Sequence, residues 1–441
     1  MKRHPPDQTA CSGIRFSRPL LHGRLWILLS VCLPFSLFAQ FDPCELRWYN
    51  VTPDGSPNSP GVLLDQACAF DSRRQVAVFF GGDNALTGVF STSDTWEWNG
   101  TDWTKRNSDQ APARKDGAMA YDSDRGVCVL FGGGTNIFQA DTPFNDTWEW
   151  NGAVWTLRQD NNPAATDRPP PLEGPIMVYD SFRKRTVLLG SSEHIGSVFK
   201  PVTRTWEWDG NSWSVRPSAP PPRIDSAMAF DPIRRVTVVF GGAGYGVGGY
   251  LNDTWTWDGT TWRLATVTSA PVPRSQHAMA FDVRRKVLVL VGGFNGNIEA
   301  PLNDSFEWDG SSWSFLPRAD TTGLTGRRFH KMWYETGAQR VMVFGGTKST
   351  RRVDGSYVHV IYDGIYEARP PGEWVDFSYP GEPSFNETGL FYTPFNTLAE
   401  AVNAASVGCT INLKTGSRAE AITITKQLQL EAYYGPVTIG Q

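Results

Sequence analysis

Asp94-Thr95-Trp96-Glu97-Trp98-Asn99-Gly100-Thr101-Asp102-Trp103 is a phrase that the chain repeats. It returns as Asp146-Thr147-Trp148-Glu149-Trp150-Asn151-Gly152 with Trp155, and as Thr205-Trp206-Glu207-Trp208-Asp209-Gly210 with Trp213. Two further copies are Asp253-Thr254-Trp255-Thr256-Trp257-Asp258-Gly259 with Trp262 and Asp304-Ser305-Phe306-Glu307-Trp308-Asp309-Gly310 with Trp313. A period of about fifty residues means supersecondary units that bury their apolar faces only by packing on one another. Inside the phrase, two rings spaced two residues apart point to one face of a strand. The Asn/Asp-Gly step is a strong hairpin signal, so each lone Trp starts a further strand.

Two more strand-like runs precede each phrase. One is Ala118-Met119-Ala120-Tyr121-Asp122, with copies at 227–231 and 278–282 and looser ones at 68–71, 176–180 and 331–334. The other is a continuous apolar run that ends on glycines, as in Val127-Cys128-Val129-Leu130-Phe131-Gly132-Gly133. Its copies cover 76–82, 236–242, 287–293 and 341–346. A short run apolar on both faces and stopped by glycine predicts a doubly covered inner strand. Between the two runs lie basic turns such as Asp71-Ser72-Arg73-Arg74, expected to form a solvated rim. The reading is an all-β chain with four strands per unit and six units. Seven Trp-led outer strands are available for them, because Trp48 and Trp374 both qualify.

The set resembles the Kelch-repeat family of β-propellers over residues 46–377. The carrying residues are the pairs Gly81-Gly82, Gly132-Gly133, Gly241-Gly242, Gly292-Gly293 and Gly345-Gly346, the downstream Trp, and an Arg that opens each unit (Arg114, Arg168, Arg223, Arg274, Arg327). The resemblance implies a six-bladed Kelch-like β-propeller with four-stranded blades whose radial closure leaves few exposed edges. The strand of Trp48 is expected to complete the blade that joins the two chain ends. The third unit departs from the pattern with Gly190-Ser191 and Thr203-Arg204, and the sixth places Tyr366 near the Trp pair.

Recurrence at one register in every unit assigns the Trp residues to packing between blades, although exposed Trp rings also stack on sugars. Each ring buries roughly 150–250 Å², worth several kcal/mol as an upper bound. Asp146, Asp253 and Asp304 recur in different blades, too far apart to share one ion; they read as turn organisers and partners of the opening Arg residues. His277 and His330 occupy one slot, three residues after Arg274 and Arg327, which also indicates structure.

The 441 residues suffice for a repeat domain and an additional piece. The net charge of −4 leaves no electrostatic footprint for nucleic acid or an anionic membrane. Arg24 precedes the apolar run 25–39, which reads as a secretory signal over residues 1–39; a membrane anchor would need about 20 apolar residues and would tolerate Pro34 poorly. No other stretch is long enough to span a bilayer, and export would permit disulfides. Cys68 and Cys128, however, sit inside strands, where Cys serves as a small apolar filler.

Residues 378–388 read as a linker. Residues 389–441 resemble the N-terminal cap and first coil of a right-handed parallel β-helix of the pectin-lyase-like kind. A helix over 398–405 precedes short strands at 410–413, 421–424 and 428–430. Coils lean on one another, so one coil cannot bury a solenoid core by itself. Such helices often bind or act on polysaccharides, which tilts the expected partner toward glycans.

Function is carried by what does not repeat. The loops after the second strands and the connections between units emerge on one face of an up-and-down blade, and both vary from unit to unit. Phe90, Phe138, His194, Phe199, Tyr245, Tyr250, Phe294, Asn295 and Asn297 supply aromatic and amide groups there, suited to a carbohydrate or peptide. No close Cys/His set marks a metal site, no cofactor motif is present, and no catalytic residue is assigned. Ser93-Asp94-Thr95-Trp96 lacks the spacing and glycine of a sialidase box, and no local signature matches the copper oxidases related to Kelch propellers. The expectation is a secreted, non-catalytic protein binding an extracellular polysaccharide or protein. The alternatives are a carbohydrate-active or oxidase-type propeller enzyme, which needs groups converging in one pocket, and a structural envelope or surface component.

Overall fold

Four antiparallel strands make each blade, and in a computed structural model six blades close a ring. The structure describes residues 47–52, 55, 58–61, 63–83, 91–106, 110–135, 143–172, 174–190, 193–195, 198–200, 202–244, 248–267, 269–296, 301–316, 324–351, 357–369, 373–375, 410–418 and 429–439. The chain divides into two units, Glu45–Pro370 and a second made of Met1–Cys44 with Pro371–Gln441.

Blade 1 contains Ala67–Asp71, Val76–Phe80, Thr95–Trp98 and Trp103–Arg106; blade 2 contains Ala118–Asp122, Val127–Phe131, Thr147–Trp150 and Trp155–Gln159. Blade 3 is Ile176–Asp180, Arg185–Gly190, Arg204–Trp208 and Trp213–Arg216. Blade 4 is Ala227–Asp231, Val236–Gly244, Tyr250–Trp257 and Trp262–Leu264, and blade 5 is Ala278–Asp282, Val287–Val291, Ser305–Trp308 and Trp313–Leu316. Blade 6 takes Lys331–Glu335, Arg340–Phe344 and Ile365–Arg369 from one end of the domain and Arg47–Thr52 from the other. Trp48 pairs with Ala368, so the strand of Trp48 does close the ring. Trp374 lies in the other unit, where Glu373–Val375, Thr410–Arg418 and Gln429–Ile439 pair in parallel. The expected helix at 398–405 and strand at 421–424 fall outside the described residues.

The first strands contact one another all the way round, Ala67–Asp71 meeting Lys331–Glu335 where the ring closes. They line the axis, and the second strand is an inner strand of each blade. The second strand is next outward, flanked by strands on both edges and by neighbouring blades on both faces. Val76–Phe80 is accordingly buried at every position, and so is Arg340–Phe344. There is no single central core. One apolar cluster fills the gap between each pair of neighbouring blades.

The repeated polar groups latch those gaps. The second Trp of one blade donates to the Glu of the preceding blade: Trp150 Nε1 to Glu97 Oε1 at 3.0 Å, Trp208 Nε1 to Glu149 at 3.2 Å and Trp257 Nε1 to Glu207 at 3.0 Å. The Trp of the fourth strand donates to the Thr of the preceding blade, as Trp155 to Thr95 at 2.9 Å and Trp262 to Thr205 at 2.8 Å. Each Glu is neutralised from its own blade; Glu207 accepts from Arg183 at 2.5 Å and Arg216 at 2.6 Å, and Arg183 also grips Asp180. The expected basic rim is thus an ordered ion-pair network on the 1–2 turns. In the hairpins, Asp209 Oδ1 accepts from the backbone of Asn211 and Ser212, both at 2.8 Å.

Three of the five opening arginines pair as expected, and Arg327 donates to Gly345 O and lies against the Tyr362 and Tyr366 rings. Arg114 forks onto Asp146 at 2.7 and 2.9 Å, Arg223 onto Asp253 at 2.8 Å through both nitrogens, and Arg274 onto Asp304 at 2.6 and 2.8 Å. Arg168 is a correction. It pairs with Asp160 and Asp167 in the surface connection, and Leu172 stands in the opening register of blade 3, as Leu63 does in blade 1. The paired glycines accommodate the neighbouring blade. Gly242 has φ +103° and donates to Arg274 O at 2.8 Å, and a Cβ there would sit 2.7 Å from Ile224 O. Cys68 and Cys128 are free thiols packed among strands, and burial pushes the Cys68 thiol up to about 12.

Candidate functional site

Each first strand starts at one face of the ring and ends in the ion-paired turn at the other. The loops after the second strands and the inter-blade connections therefore share the starting face, as expected. Antiparallel bridges fix this arrangement: Leu64 to Asp83, Lys115 to Gly134, Ser275 to Phe294 and Arg328 to Thr347. Loop variation is also concentrated there. Blade 3 inserts a hairpin of Glu193–Ile195 and Val198–Lys200, and blade 6 one of Thr347–Arg351 and Tyr357–Ile361.

Immediately before each first strand stands a residue with positive φ: Asp65, Asp116, Gly174, Asp225, Gln276 and Phe329, with φ between 53° and 60°. Their backbones link blade to blade, Asp116 N to Asp65 O at 2.8 Å, Gln276 N to Asp225 O at 2.8 Å and Phe329 N to Gln276 O at 3.0 Å. This register forms the mouth of the axis. Its side chains are not the same from blade to blade, unlike the scaffold around it.

Three carboxyl groups meet in that mouth. Burial raises Asp65 and Asp225 above the usual carboxylate range, with Lys331 pulling both back. Burial and then the neighbouring Asp65 push Asp116 up to about 8, so at neutral pH it is largely a hydrogen-bond donor. Lys115 is buried and pairs with Asp83 at 2.8 Å. Gln276 Nε2 donates to Asp225 at 3.0 Å. Among the described residues no group of three or more His, Cys, Asp or Glu is placed to hold a metal ion.

Beside the carboxyls lies an aromatic shelf. Tyr250 and Phe294 meet edge to face with centroids 6.0 Å apart, and the Arg328 guanidinium lies 5.0 Å from the Phe294 centroid. Two of the expected residues, Tyr250 from blade 4 and Phe294 from blade 5, are therefore brought together, with Asn295 next to them in the chain. His194 and Phe199 face each other across the blade 3 hairpin as backbone partners. Phe90, Phe138, Tyr245 and Asn297 lie outside the described residues. The sequence reading missed Asp65, Asp116, Asp225, Gln276 and Arg328. Aligning the six units on their first strands exposes the signal, a position two residues upstream whose type varies. His277 and His330 are scaffold: the His277 ring is edge to face with Phe240 at 5.5 Å, and burial and then Arg274 push it down to about 3. A separate cleft of about 670 Å³ lies on the outer edge of blade 3, lined by Arg204, Val215, Arg216 and Pro220.

Residues 190–363 match the family model described as the KLHDC2/KLHL20/DRC7 Kelch-repeats domain. Over that span the repeat is a Kelch repeat. The solved structure of YjhT is similar at a TM-score of 0.51 and 14% identity, covering 70% of this chain and 95% of that one. At that identity the likeness speaks for the six-bladed propeller fold alone. No curated protein matches the sequence.

Proposed function

We propose that this is a secreted binding protein that uses the mouth of its Kelch propeller to hold an extracellular polysaccharide or protein without chemical change. A Kelch-type propeller suits an interaction role. The observation that carries the reading is the meeting of Tyr250, Phe294 and Arg328 beside Asp225 and Gln276, two members of the register whose residue type varies from blade to blade. Aromatic faces, hydrogen-bond acceptors and a cation brought close together suit a polar ligand with apolar patches. The parallel pairing of Thr410–Arg418 with Gln429–Ile439 supports a β-helix start in the second unit, since stacked coils pair in parallel. The signal-like 25–39 run is what supports secretion. Binding of the purified protein to arrayed polysaccharides and extracellular proteins tests the proposal, with Tyr250→Ala and Phe294→Ala as variants. Saturable binding lost in both variants while folding persists supports it; binding unaffected by either refutes the site.

One observation favours a hydrolytic reading. Asp116 holds its proton to about pH 8 beside a second carboxyl group, Asp65, and such split pairs serve as acid and base. Turnover of a bound glycan that Asp116→Asn abolishes would establish that reading, and indefinite persistence of the intact ligand would remove it.

A further inference from the structure

Many buried or half-buried arginines of this propeller are matched to carboxylates. Arg114, Arg223 and Arg274 fork onto Asp residues, and Arg74, Arg125, Arg183 and Arg285 each hold an Asp of their own turn. Arg328 is the exception at the mouth. It is half-buried, yet among the described residues no carboxylate lies within ion-pair distance. Its Nη1 and Nη2 reach Gln276 Oε1 and Ser349 Oγ only at 3.4 Å, beyond the usual range, and its buried Nε has no partner. The guanidinium is held between Phe294 and Phe329, 5.0 and 5.5 Å from the ring centroids. Burial lowers its pKa, and the nearby Tyr250 and Asp225 offset only part of that desolvation.

We propose that Arg328 reads the carboxylate of an acidic saccharide, a uronate-type sugar, bound at the axial mouth. The inference rests on the binding role proposed above and deepens it. A planar guanidinium with free donors matches a carboxylate in two-point geometry. Asp225 and the Gln276 carbonyl, adjacent to it, accept from sugar hydroxyls, and Tyr250 and Phe294 offer apolar surface to the ring carbons. The several carboxyl groups around Arg328 repel a multiply charged phosphate more than a monoanionic carboxylate. Acceptors beside the cation favour a hydroxylated ligand over a peptide terminus.

Isothermal titration of the full chain with a galacturonate oligosaccharide, its methyl ester and poly-glutamate separates the possibilities. The expected result is saturable binding of the free acid, with the methyl ester weaker by tenfold or more. Arg328→Gln should weaken the free acid by the same factor, roughly ten- to a hundredfold for lost hydrogen bonds to a charged group. Arg328→Lys should fall between. The ester comparison needs no variant, so it stands even if Arg328→Gln fails to fold. Equal binding of acid and ester, or an unaffected Arg328→Gln, overturns the carboxylate inference while loss in Phe294→Ala would keep the binding face. Poly-glutamate binding as tightly as the sugar overturns the saccharide class. Failure of all three probes overturns the inference. The binding role itself falls only if the wider panel is also silent.

Discussion

Trp98 and Trp150 occupy the same register in neighbouring blades and are buried to the same extent, 1% exposed each. They differ in one bond. Trp150 Nε1 donates to Glu97 Oε1 at 3.0 Å, whereas Trp98 Nε1 has no partner among the described residues. Replacing either with Phe removes similar ring area, so the packing losses nearly cancel in the comparison. Trp150→Phe additionally loses a hydrogen bond to a charged acceptor, worth about 1.5–3 kcal/mol. Trp98→Phe removes a buried donor that was unsatisfied, which offsets part of its packing loss. The account therefore predicts that Trp150→Phe is less stable than Trp98→Phe by about 2 kcal/mol or more. Urea unfolding followed by circular dichroism measures this, the difference appearing in the midpoint with the slope unchanged. Equal midpoints would refute the idea that the repeated Glu is an inter-blade acceptor.

Arg114→Ala should cost about 3–5 kcal/mol, because it strands the buried Asp146 carboxylate, and thermal unfolding will show it. Deleting residues 1–52 removes the strand of Trp48 and opens blade 6; cooperative unfolding should be lost and the exposed edge of Ile365–Arg369 should promote self-association, seen by light scattering. His277 and His330 are both pushed below their ordinary value of 6.5, so the unfolded chain binds more protons below that pH. Their contribution to stability is present above pH 6.5 and is lost as pH falls, for His277 toward about 3, at up to about 1.4 kcal/mol per pH unit for each. His277→Gln should flatten the acid limb of the stability–pH curve relative to wild type, and an unchanged limb would count against the burial argument.

The scaffold was legible because it repeats. Trp-x-Trp, the Gly-Gly stops and the Arg–Asp pairs recur because most blades meet their neighbours in the same way, so one solution is reused around the ring. Arg168 misled because the Pro-rich connection of blade 3 holds an arginine near the opening slot, while Leu172 fills the slot itself. The second strand was legible because a strand covered on both faces is apolar throughout. The mouth was less legible for the opposite reason. Asp65, Asp116, Asp225, Gln276 and Phe329 share a backbone conformation but not a residue type, so no motif advertises them. Tyr250 and Phe294 were found as loop aromatics, but their contact with Arg328 arises from three different blades and is set only by ring closure.

The central claim is that the repeated residues hold the ring and the mouth holds the ligand. It is tested most directly by measuring ligand affinity and melting temperature together for Phe294→Ala and for Ile233→Ala, an exposed apolar residue on the opposite face. The account predicts that Phe294→Ala abolishes binding with little change in melting temperature, and that Ile233→Ala changes neither. Binding retained in Phe294→Ala and lost in Ile233→Ala would place the ligand on the other face and contradict the account.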